Sequence, residues 1–314
     1  MTNFTFAFPG QGSQSVAMLA ELAETFPVVV DTYKEASAAL GYDLWALVQQ
    51  GPSESLNQTD KTQPALLAAS VAIWRVWEEQ GGIKPTVIAG HSLGEYSALV
   101  CAGVINFQDA IKLVELRGQL MQQAVPAGTG AMAAIIGLDN DVIATCCENA
   151  AQGQVVSPVN FNSPGQVVIA GNKEAVERAG LLLKEAGAKR VLPLPVSVPS
   201  HCALMKPAAE KLAVALQDIE FKTPTMAVIN NVDVVAETDA AKIKDALVRQ
   251  LFSPVRWTET IEKMAAEGIT LQVEAGPGKV LSGLVRRIDK SFTASFINDN
   301  ASLEQSLAAV KGAQ

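Results

Sequence analysis

The sequence predicts an α/β protein in which a parallel sheet core is interrupted by a small inserted subdomain. Two observations carry this prediction. Short apolar strands alternate with amphipathic helices at both ends of the 314-residue chain, the pattern of a parallel sheet with helices on its faces. Between residues 130 and 193 the order changes to βαββαβ, and loop-like segments at 126–130 and 193–195 flank that stretch.

The first part of the chain alternates between the two kinds of element. Strands are predicted at Phe4–Phe8 and Thr86–Ala89, and helices at Phe26–Leu40, Pro64–Trp77, Leu93–Cys101 and Phe107–Ala124. In the middle, strands are predicted at Ala131–Ile136, Val155–Phe161, Val167–Ala170 and Lys189–Leu194, and helices at Asn140–Ala150 and Lys173–Ala186. This split βαβ order is typical of ferredoxin-like domains.

The α/β alternation resumes after residue 195. Strands are predicted at Met226–Asn230 and Thr270–Glu274, and helices at Leu204–Leu216, Ala240–Phe252, Thr258–Glu267, Pro277–Ile288 and Ser302–Val310. We therefore predict a discontinuous large subdomain, residues 1–127 and 196–314, and a small subdomain, residues 128–195.

Composition argues against several classes of protein. A formal net charge of -8 argues against general nucleic-acid binding, which needs a basic face. No apolar run reaches the ~18 residues of a membrane span. None of the four cysteines forms a Cys-x-x-Cys pair and there are only two histidines, so we predict no metal site and a cytoplasmic protein with free thiols.

A candidate nucleophile follows the second predicted strand. Residues 90–94 fit the pattern G-x-S-x-G, with an apolar strand directly before them and a helix directly after. Such a turn lifts the Ser92 hydroxyl off the sheet and directs N–H groups of the helix start toward an oxyanion. Side chains in place of Gly90 and Gly94 would clash where strand and helix meet. The alternative is an ordinary turn in which Ser92 caps the helix.

A serine nucleophile needs a base, and histidine is scarce in this chain. His91 adjoins Ser92 in a sharp turn, so we expect its side chain to point elsewhere and to pack. His201 lies in a loop just after the inserted subdomain and is the candidate base, with a structural histidine as the alternative. No acidic residue stands out as a third member of a triad. A carbonyl group could orient the imidazole instead, and the residues alone leave this open.

An arginine interrupts the apolar stripe of the predicted helix Phe107–Ala124. Arg117 follows Leu113 by four residues and precedes Met121 by four, so its charge faces the core. A buried guanidinium requires a partner, and its planar fork suits a carboxylate. That partner is either a group from another element or the carboxylate of a substrate in a pocket shared with Ser92.

The glycine-rich segment 8–14 fits neither common phosphate-binding pattern. It lacks G-K-[ST], and Ser15 stands where the dinucleotide fingerprint needs glycine. Because hydrolase oxyanion holes take one donor from a loop after another strand, this segment is a candidate for that donor.

Together these segments resemble the malonyl-CoA:acyl carrier protein transacylase family. The resemblance rests on residues 8–14, 90–99, 117, 199–201 and 276–278, in order between residue 4 and about residue 290. It implies a hydrolase-like large subdomain with a ferredoxin-like insertion, as parsed above. It also implies that Ser92 carries a malonyl group from coenzyme A to the phosphopantetheine thiol of acyl carrier protein, for fatty acid synthesis. Malonyl-CoA and the carrier would be the partners, the protein a monomer, and no metal or redox cofactor would be needed.

The resemblance also implies roles for individual residues. His201 would be the base, Arg117 would bind the malonate carboxylate, and the N–H groups of Gln11 and Leu93 would form the oxyanion hole. Gln250 would orient the histidine through a carbonyl, and Asn160 and Asn162 would line the pocket.

Two other functions are compatible with these residues. A serine hydrolase such as a thioesterase would use the same nucleophile and base, with water as acceptor. A non-catalytic binding module would keep the fold without the chemistry.

Overall fold

The computed structural model describes residues 3–196 and 198–312; residues 1, 2, 197, 313 and 314, all in the predicted large subdomain, lie outside the described residues. The strands are β1 (Phe4–Phe8), β2 (Val87–Gly90), β3 (Gly130–Ile136), β4 (Val156–Ser163), β5 (Gln166–Asn172), β6 (Arg190–Pro193), β7 (Ala227–Ile229), β8 (Leu271–Ala275) and β9 (Thr293–Ile297).

The helices are α1 (Ala20–Thr25), α2 (Pro27–Leu40), α3 (Leu44–Gln50), α4 (Ser53–Leu56), α5 (Thr59–Glu79), α6 (Leu93–Cys101), α7 (Phe107–Gln123), α8 (Asn140–Ala151), α9 (Lys173–Glu185), α10 (Lys206–Gln217), α11 (Ala240–Gln250), α12 (Trp257–Ala266), α13 (Val280–Ile288) and α14 (Asn300–Gly312). A short 3-10 helix, Ala203–Met205, precedes α10. None of the helices in the described ranges is long and apolar enough to cross a membrane.

The larger sheet is parallel, with strand order β7-β2-β1-β8-β9. Every residue of β1 is buried, because helices cover both faces of a parallel sheet. The register pairs Phe8 with Gly90, so the segments after β1 and β2 leave the sheet side by side. Ligands of parallel α/β sheets bind beyond the carboxyl ends of the strands, and this edge is therefore the expected place for chemistry.

The smaller sheet is antiparallel, with strand order β4-β5-β3-β6. Helices α8 and α9 pack on one face through a cluster that includes Ile135, Ile169 and Leu183. Met132 and Val168 on the other face pack against Cys202, the neighbour of His201 in the chain. The βαββαβ order is thus confirmed, whereas the boundaries at 127/128 and 195/196 stay a prediction.

The turn between β2 and α6 is packed backbone against backbone. A Cβ atom on Gly94 would lie 1.9 Å from the Phe8 carbonyl oxygen, and one on Gly90 would lie 1.8 Å from the Gly94 carbonyl carbon. Ser92 between them has φ 52° and ψ -108°, which non-glycine residues rarely adopt. The two glycines let the start of α6 rest directly on the end of β1.

Some predicted elements were wrong or missing. The sequence predicts a helix start at Pro64, because proline favours the first turn of a helix. In the structure α5 begins at Thr59, and Pro64 lies inside it. The added turn carries Thr59 and Gln63 to the edge of the sheet. Strand β9 was missed because its burial is only partial, and α1, α3 and α4 were missed because they are short.

We predict opposite effects for two glycine-to-alanine substitutions in helices. Gly94→Ala should lower the free energy of unfolding by more than about 3 kcal/mol, since the new methyl group meets backbone atoms that cannot move aside. Gly283→Ala is the control, because a Cβ there meets nothing within 4 Å in the exposed part of α13. This substitution should raise the free energy of unfolding by up to about 1 kcal/mol, because alanine has a higher helix propensity than glycine. Urea denaturation measures both, and similar stabilities for the two variants would contradict the packing argument.

Candidate active site

The Ser92 hydroxyl and the His201 imidazole meet at the carboxyl edge of the parallel sheet. Ser92 Oγ lies 2.8 Å from His201 Nε2, although 109 residues separate the two in the chain. The Ser92 side chain makes no capping hydrogen bond to α6, so the alternative of a simple helix cap does not describe it. The distance fits a nucleophile and its base.

A backbone carbonyl fixes the orientation of His201. The carbonyl oxygen of Gln250 lies 2.7 Å from His201 Nδ1. A carbonyl can only accept a hydrogen bond, so Nδ1 carries the proton and Nε2 keeps its lone pair toward Ser92. Gln250 is the last residue of α11, where carbonyl groups have no partner within the helix. The end of a helix thus does the orienting that an acid does in a triad.

The His201 imidazole is neutral at neutral pH. Burial lowers its pKa, the nearby Arg117 charge lowers it further, and together they bring the pKa of His201 to about 3 despite the bond to Gln250. Nε2 is therefore unprotonated and able to accept the Ser92 proton.

Arg117 is buried, with 1% of its surface exposed, and its guanidinium donates hydrogen bonds to neutral groups in the described part of the chain. Nη1 donates to Gln63 Oε1 at 2.8 Å, and Nη2 donates to Gln250 Oε1 at 2.9 Å and to Ser92 Oγ at 3.2 Å. No carboxylate of the described residues forms an ion pair with it, and Nε is without a hydrogen-bond partner there. The charge is therefore available to a carboxylate from outside the chain.

These groups open into one cavity of about 120 Å³. Its lining residues are Gln11, Thr59, Gln63, His91, Ser92, Leu93, Arg117, Met121, Met132, Asn160, Leu194, Val196, Val198, Ser200 and His201. Of the predicted site residues, Gln250 and Asn162 are outside this lining. Gln250 contacts Arg117 and His201, and Asn162 Oδ1 lies 2.8 Å from His91 Nε2.

Two adjacent segments at the cavity each have a backbone N–H group without a partner among the described hydrogen bonds. One belongs to Leu93, the first residue of α6, and the other to Gln11 in the loop after β1. The N–H of Ser92 itself donates to Asn231 Oδ1 at 2.7 Å, so it is already used. The start of α6 and the loop after β1 can therefore each direct an N–H donor into the cavity.

Sequence reasoning missed three residues that support these groups. Asn231 bridges the turn, because its Nδ2 also donates to the Gly90 carbonyl at 2.7 Å. Glu95 is buried in α6 and accepts from Gln250 Nε2 at 2.8 Å. Gln63 was placed before the predicted helix, and Asn231 lies in a loop without a chemical pattern. Glu95 directly follows the G-x-S-x-G pattern, but a pattern alone does not indicate its burial.

The chain matches the acyl transferase domain family over residues 5–307. It is 69% identical to the malonyl CoA-acyl carrier protein transacylase of Salmonella typhimurium over 98% of this chain and 99% of that one. It is 45% identical to the protein of the same name from Bacillus subtilis, over 99% and 98% of the two chains. The chain belongs to the malonyl CoA-acyl carrier protein transacylase family.

Solved structures of transacylases have the same fold. An acyl carrier protein S-malonyltransferase from Vibrio cholerae is 71% identical, with a TM-score of 0.95 over 97% of this chain and 99% of that one. A malonyl-transacylase solved in complex with a type II PKS acyl-carrier protein is 66% identical, with a TM-score of 0.97 over 98% and 100% of the chains. The protein is therefore an acyltransferase, and no cluster of histidine, cysteine or acidic residues in the described ranges could hold a metal ion.

We predict that Asn231→Ala destabilises the transacylase and slows the reaction of Ser92. Without the amide, the Ser92 N–H and the Gly90 carbonyl lose their buried partners, each at a cost of about 1–3 kcal/mol. Urea denaturation and the rate of Ser92 labelling by a fluorophosphonate measure the two effects. Asn57→Ala is the control, because the exposed Asn57 only accepts from Gln14. Equal stability losses for the two variants would contradict the assigned role of Asn231 as a bridge across the turn.

Proposed function

We propose that Ser92 carries a malonyl group from coenzyme A to the phosphopantetheine thiol of an acyl carrier protein, in a two-step ping-pong reaction that supplies fatty acid synthesis. The observation that carries this proposal is the Arg117 guanidinium, which is buried, unpaired with any carboxylate of the described residues, and 3.2 Å from Ser92 Oγ. A malonyl thioester presents the complementary pair of groups, an acyl carbon for the serine and a carboxylate for the arginine.

In the first step, His201 Nε2 takes the proton of Ser92 Oγ as the oxygen attacks the thioester carbonyl. The negative charge that develops on the carbonyl oxygen is stabilised by the N–H groups of Leu93 and Gln11, each contributing about 3–4 kcal/mol to the transition state. The intermediate then collapses, the carbon–sulfur bond breaks, and His201 returns the proton to the leaving coenzyme A thiolate. A malonyl ester on Ser92 and free coenzyme A result.

The malonyl carboxylate would exchange places with the present partners of Arg117. A bidentate pair with the guanidinium would draw Nη2 from Ser92 Oγ, which releases a donor that otherwise makes the hydroxyl oxygen a poorer nucleophile. Because the Arg117 charge lowers the His201 pKa, its neutralisation would also make the base stronger. Acyl groups without a carboxylate would gain neither effect, which favours malonyl over acetyl.

In the second step, the phosphopantetheine thiol of the carrier gives its proton to His201 and attacks the malonyl ester. The second tetrahedral intermediate uses the same two N–H donors, and Ser92 regains its proton as the thioester leaves. Gln250 would hold the imidazole in one tautomer throughout, and Asn160 in the cavity wall would contact the acyl group. For Asn162 we propose an indirect part, through its contact with His91.

The partners of this chain are proposals of the same kind. Malonyl-CoA would be the donor and acyl carrier protein the acceptor, supported by the relative solved in complex with an acyl-carrier protein. The reaction as written needs no metal or redox cofactor. We propose a monomer, because one chain supplies every reacting group, and a cytoplasmic location, supported by the four free cysteines.

A serine hydrolase or thioesterase is the second candidate function. It would share the Ser92–His201 pair and would transfer the acyl group to water. The cation beside the nucleophile favours transfer of a carboxylated acyl group, and the fate of the acyl-enzyme separates the two functions.

Incubation with malonyl-CoA should add one malonyl group to the protein, located on Ser92 by intact-mass measurement and peptide mapping. Ser92→Ala should remain unmodified. Ser200→Ala is the matched control, since Ser200 lines the same cavity, and this variant should be modified like the parent. Added pantetheine thiol should discharge the ester as malonyl thioester. Rapid release of free malonate without a thiol would identify a hydrolase. A parent protein that stays unmodified would contradict both enzymatic functions and favour a non-catalytic binding module.

We predict that Arg117→Ala impairs malonyl loading far more than acetyl loading. Loss of a buried charge-assisted pair should reduce the second-order rate of malonyl loading by about 100-fold or more. The rate with acetyl-CoA should change much less. Arg75→Ala serves as control, because Arg75 pairs with Glu35 outside the cavity lining. Equal losses for the two acyl groups would exclude Arg117 from carboxylate binding.

A further inference from the structure

A buried carboxyl group that the proposed reaction does not use lies behind the site. Glu95, in the first turn of α6, has 2% of its surface exposed. Its Oε2 accepts hydrogen bonds from Gln250 Nε2 at 2.8 Å and from the Asn231 N–H at 2.9 Å. A buried acid with such partners has a definite place in the polar network of the site, which its position on the helix alone does not explain.

One side-chain amide separates this carboxyl group from the guanidinium. Gln250 donates from Nε2 to Glu95, and its Oε1 accepts from Arg117 Nη2 at 2.9 Å. The acid and the cation are therefore coupled through a single residue without forming a direct ion pair. A direct pair would hold the fork of Arg117 with a charged partner, whereas its neutral partners can be displaced by another carboxylate.

A substrate carboxylate changes the charge balance of this network. Arg117 and ionised Glu95 sum to zero, and a second carboxylate on Arg117 would leave an uncompensated negative charge in a buried site. Two carboxylates that share one cation in low dielectric favour the uptake of a proton by one of them. The substrate carboxylate would hold the guanidinium directly, so the proton falls to the more distant acid.

We propose that Glu95 is a positioning residue that takes up a proton from solvent when a carboxylate-bearing acyl group binds Arg117, and releases it when that group leaves. This inference rests on the proposed function. Burial raises the pKa of Glu95 to about 7, although Gln250, Asn231 and Arg117 all act to lower it. The carboxyl group can therefore change its protonation state near neutral pH.

A small cavity brings Glu95 close to a partly exposed acid. It measures about 10 Å³, roughly the space of one water, and its wall includes Glu95, Asn230 and Glu237. Asn230 Nδ2 has no hydrogen-bond partner among the described residues, so it could hold such a water beside the acid. The Glu237 side chain is 28% exposed and lies 3.8 Å from Lys242 Nζ. The charged or titratable groups around Glu95 are Tyr96, Arg117, Asp233 and Glu237.

The test is the pH profile of single-turnover loading of Ser92 from malonyl-CoA and from acetyl-CoA, between pH 5.5 and 9. Malonyl loading should fall by at least about fivefold as pH rises and Glu95 ionises, a typical size for coupling between two sites. Acetyl loading should lack this fall. In Glu95→Gln the malonyl profile should lose it too, because the amide has no charge to repel the substrate. If Glu95 had only a structural role, Glu95→Gln would lower the loading rates of both acyl groups at every pH.

Glu237→Gln is the matched control, since Glu237 lines the same small cavity, and its described ion pair is with Lys242 and not with the Gln250 network. It should keep the fall in malonyl loading. The proposal is overturned if the fall persists in Glu95→Gln, if it vanishes only in Glu237→Gln, or if malonyl loading rises with pH. Absence of malonyl loading at every pH would instead overturn the proposed function, and the two failures are distinct.

A measurement on the parent protein keeps the proposal testable if Glu95→Gln does not fold. Calorimetry of malonyl-CoA loading at pH 7, in buffers of different ionisation enthalpy, should report uptake of about half a proton per site. Acetyl-CoA should give none, and equal uptake for the two substrates would contradict the role of Glu95.

Discussion

The site depends on a guanidinium that is buried without a carboxylate of its own. Neutral amides from Gln63 and Gln250 hold Arg117 in place, and a direct acidic partner would close it to substrate. Such an arrangement is costly, because a buried charge without a full counter-charge loses its hydration. Three features stabilise the buried charge. They are its hydrogen bonds, the Tyr96 ring whose centroid lies 5.3 Å from Arg117 Cζ, and Glu95, which is linked to Arg117 through Gln250. Gln63 on α5 and Arg117 on α7 meet where these two helices pack, so the proposed carboxylate site depends on that packing.

Backbone groups at the ends of helices complete the chemistry. The last carbonyl of α11 sets the tautomer of His201, and the first N–H of α6 is left free beside Ser92. Helix termini are the places where a folded chain has unpaired backbone groups, so the fold supplies them without further side chains. The close contact of Gly94 with Phe8 brings the helix start near the loop that holds Gln11. Positions in this site are thus set by main-chain packing, which is stiff.

Much of the fold and several residues of the candidate site could be predicted from local sequence patterns. The alternation of strands and helices indicated both sheets, and Ser92, His201 and Arg117 each stood out: one in a turn pattern, one by scarcity, one by its charge on an apolar stripe. Gln250 came only from the family resemblance, because its contact with His201 uses a carbonyl that any residue has. Asn231 and Glu95 could not be found, since their roles depend on contacts between segments far apart in the chain. The edge strand β9 lacked the apolar signal of a central strand.

The order of strands in the parallel sheet has a consequence for how this chain is made. Strand β1 pairs on one side with β2, which follows early, but on the other side with β8, near the end of the sequence. A growing polypeptide on the ribosome must therefore carry an unsatisfied row of backbone groups on a phenylalanine-rich strand until almost all of it has been translated. Nascent intermediates of this kind expose unpaired strand edges that can associate with other chains. Chaperones that cover these edges should therefore raise the yield of this enzyme more than that of a protein whose paired strands are neighbours in sequence.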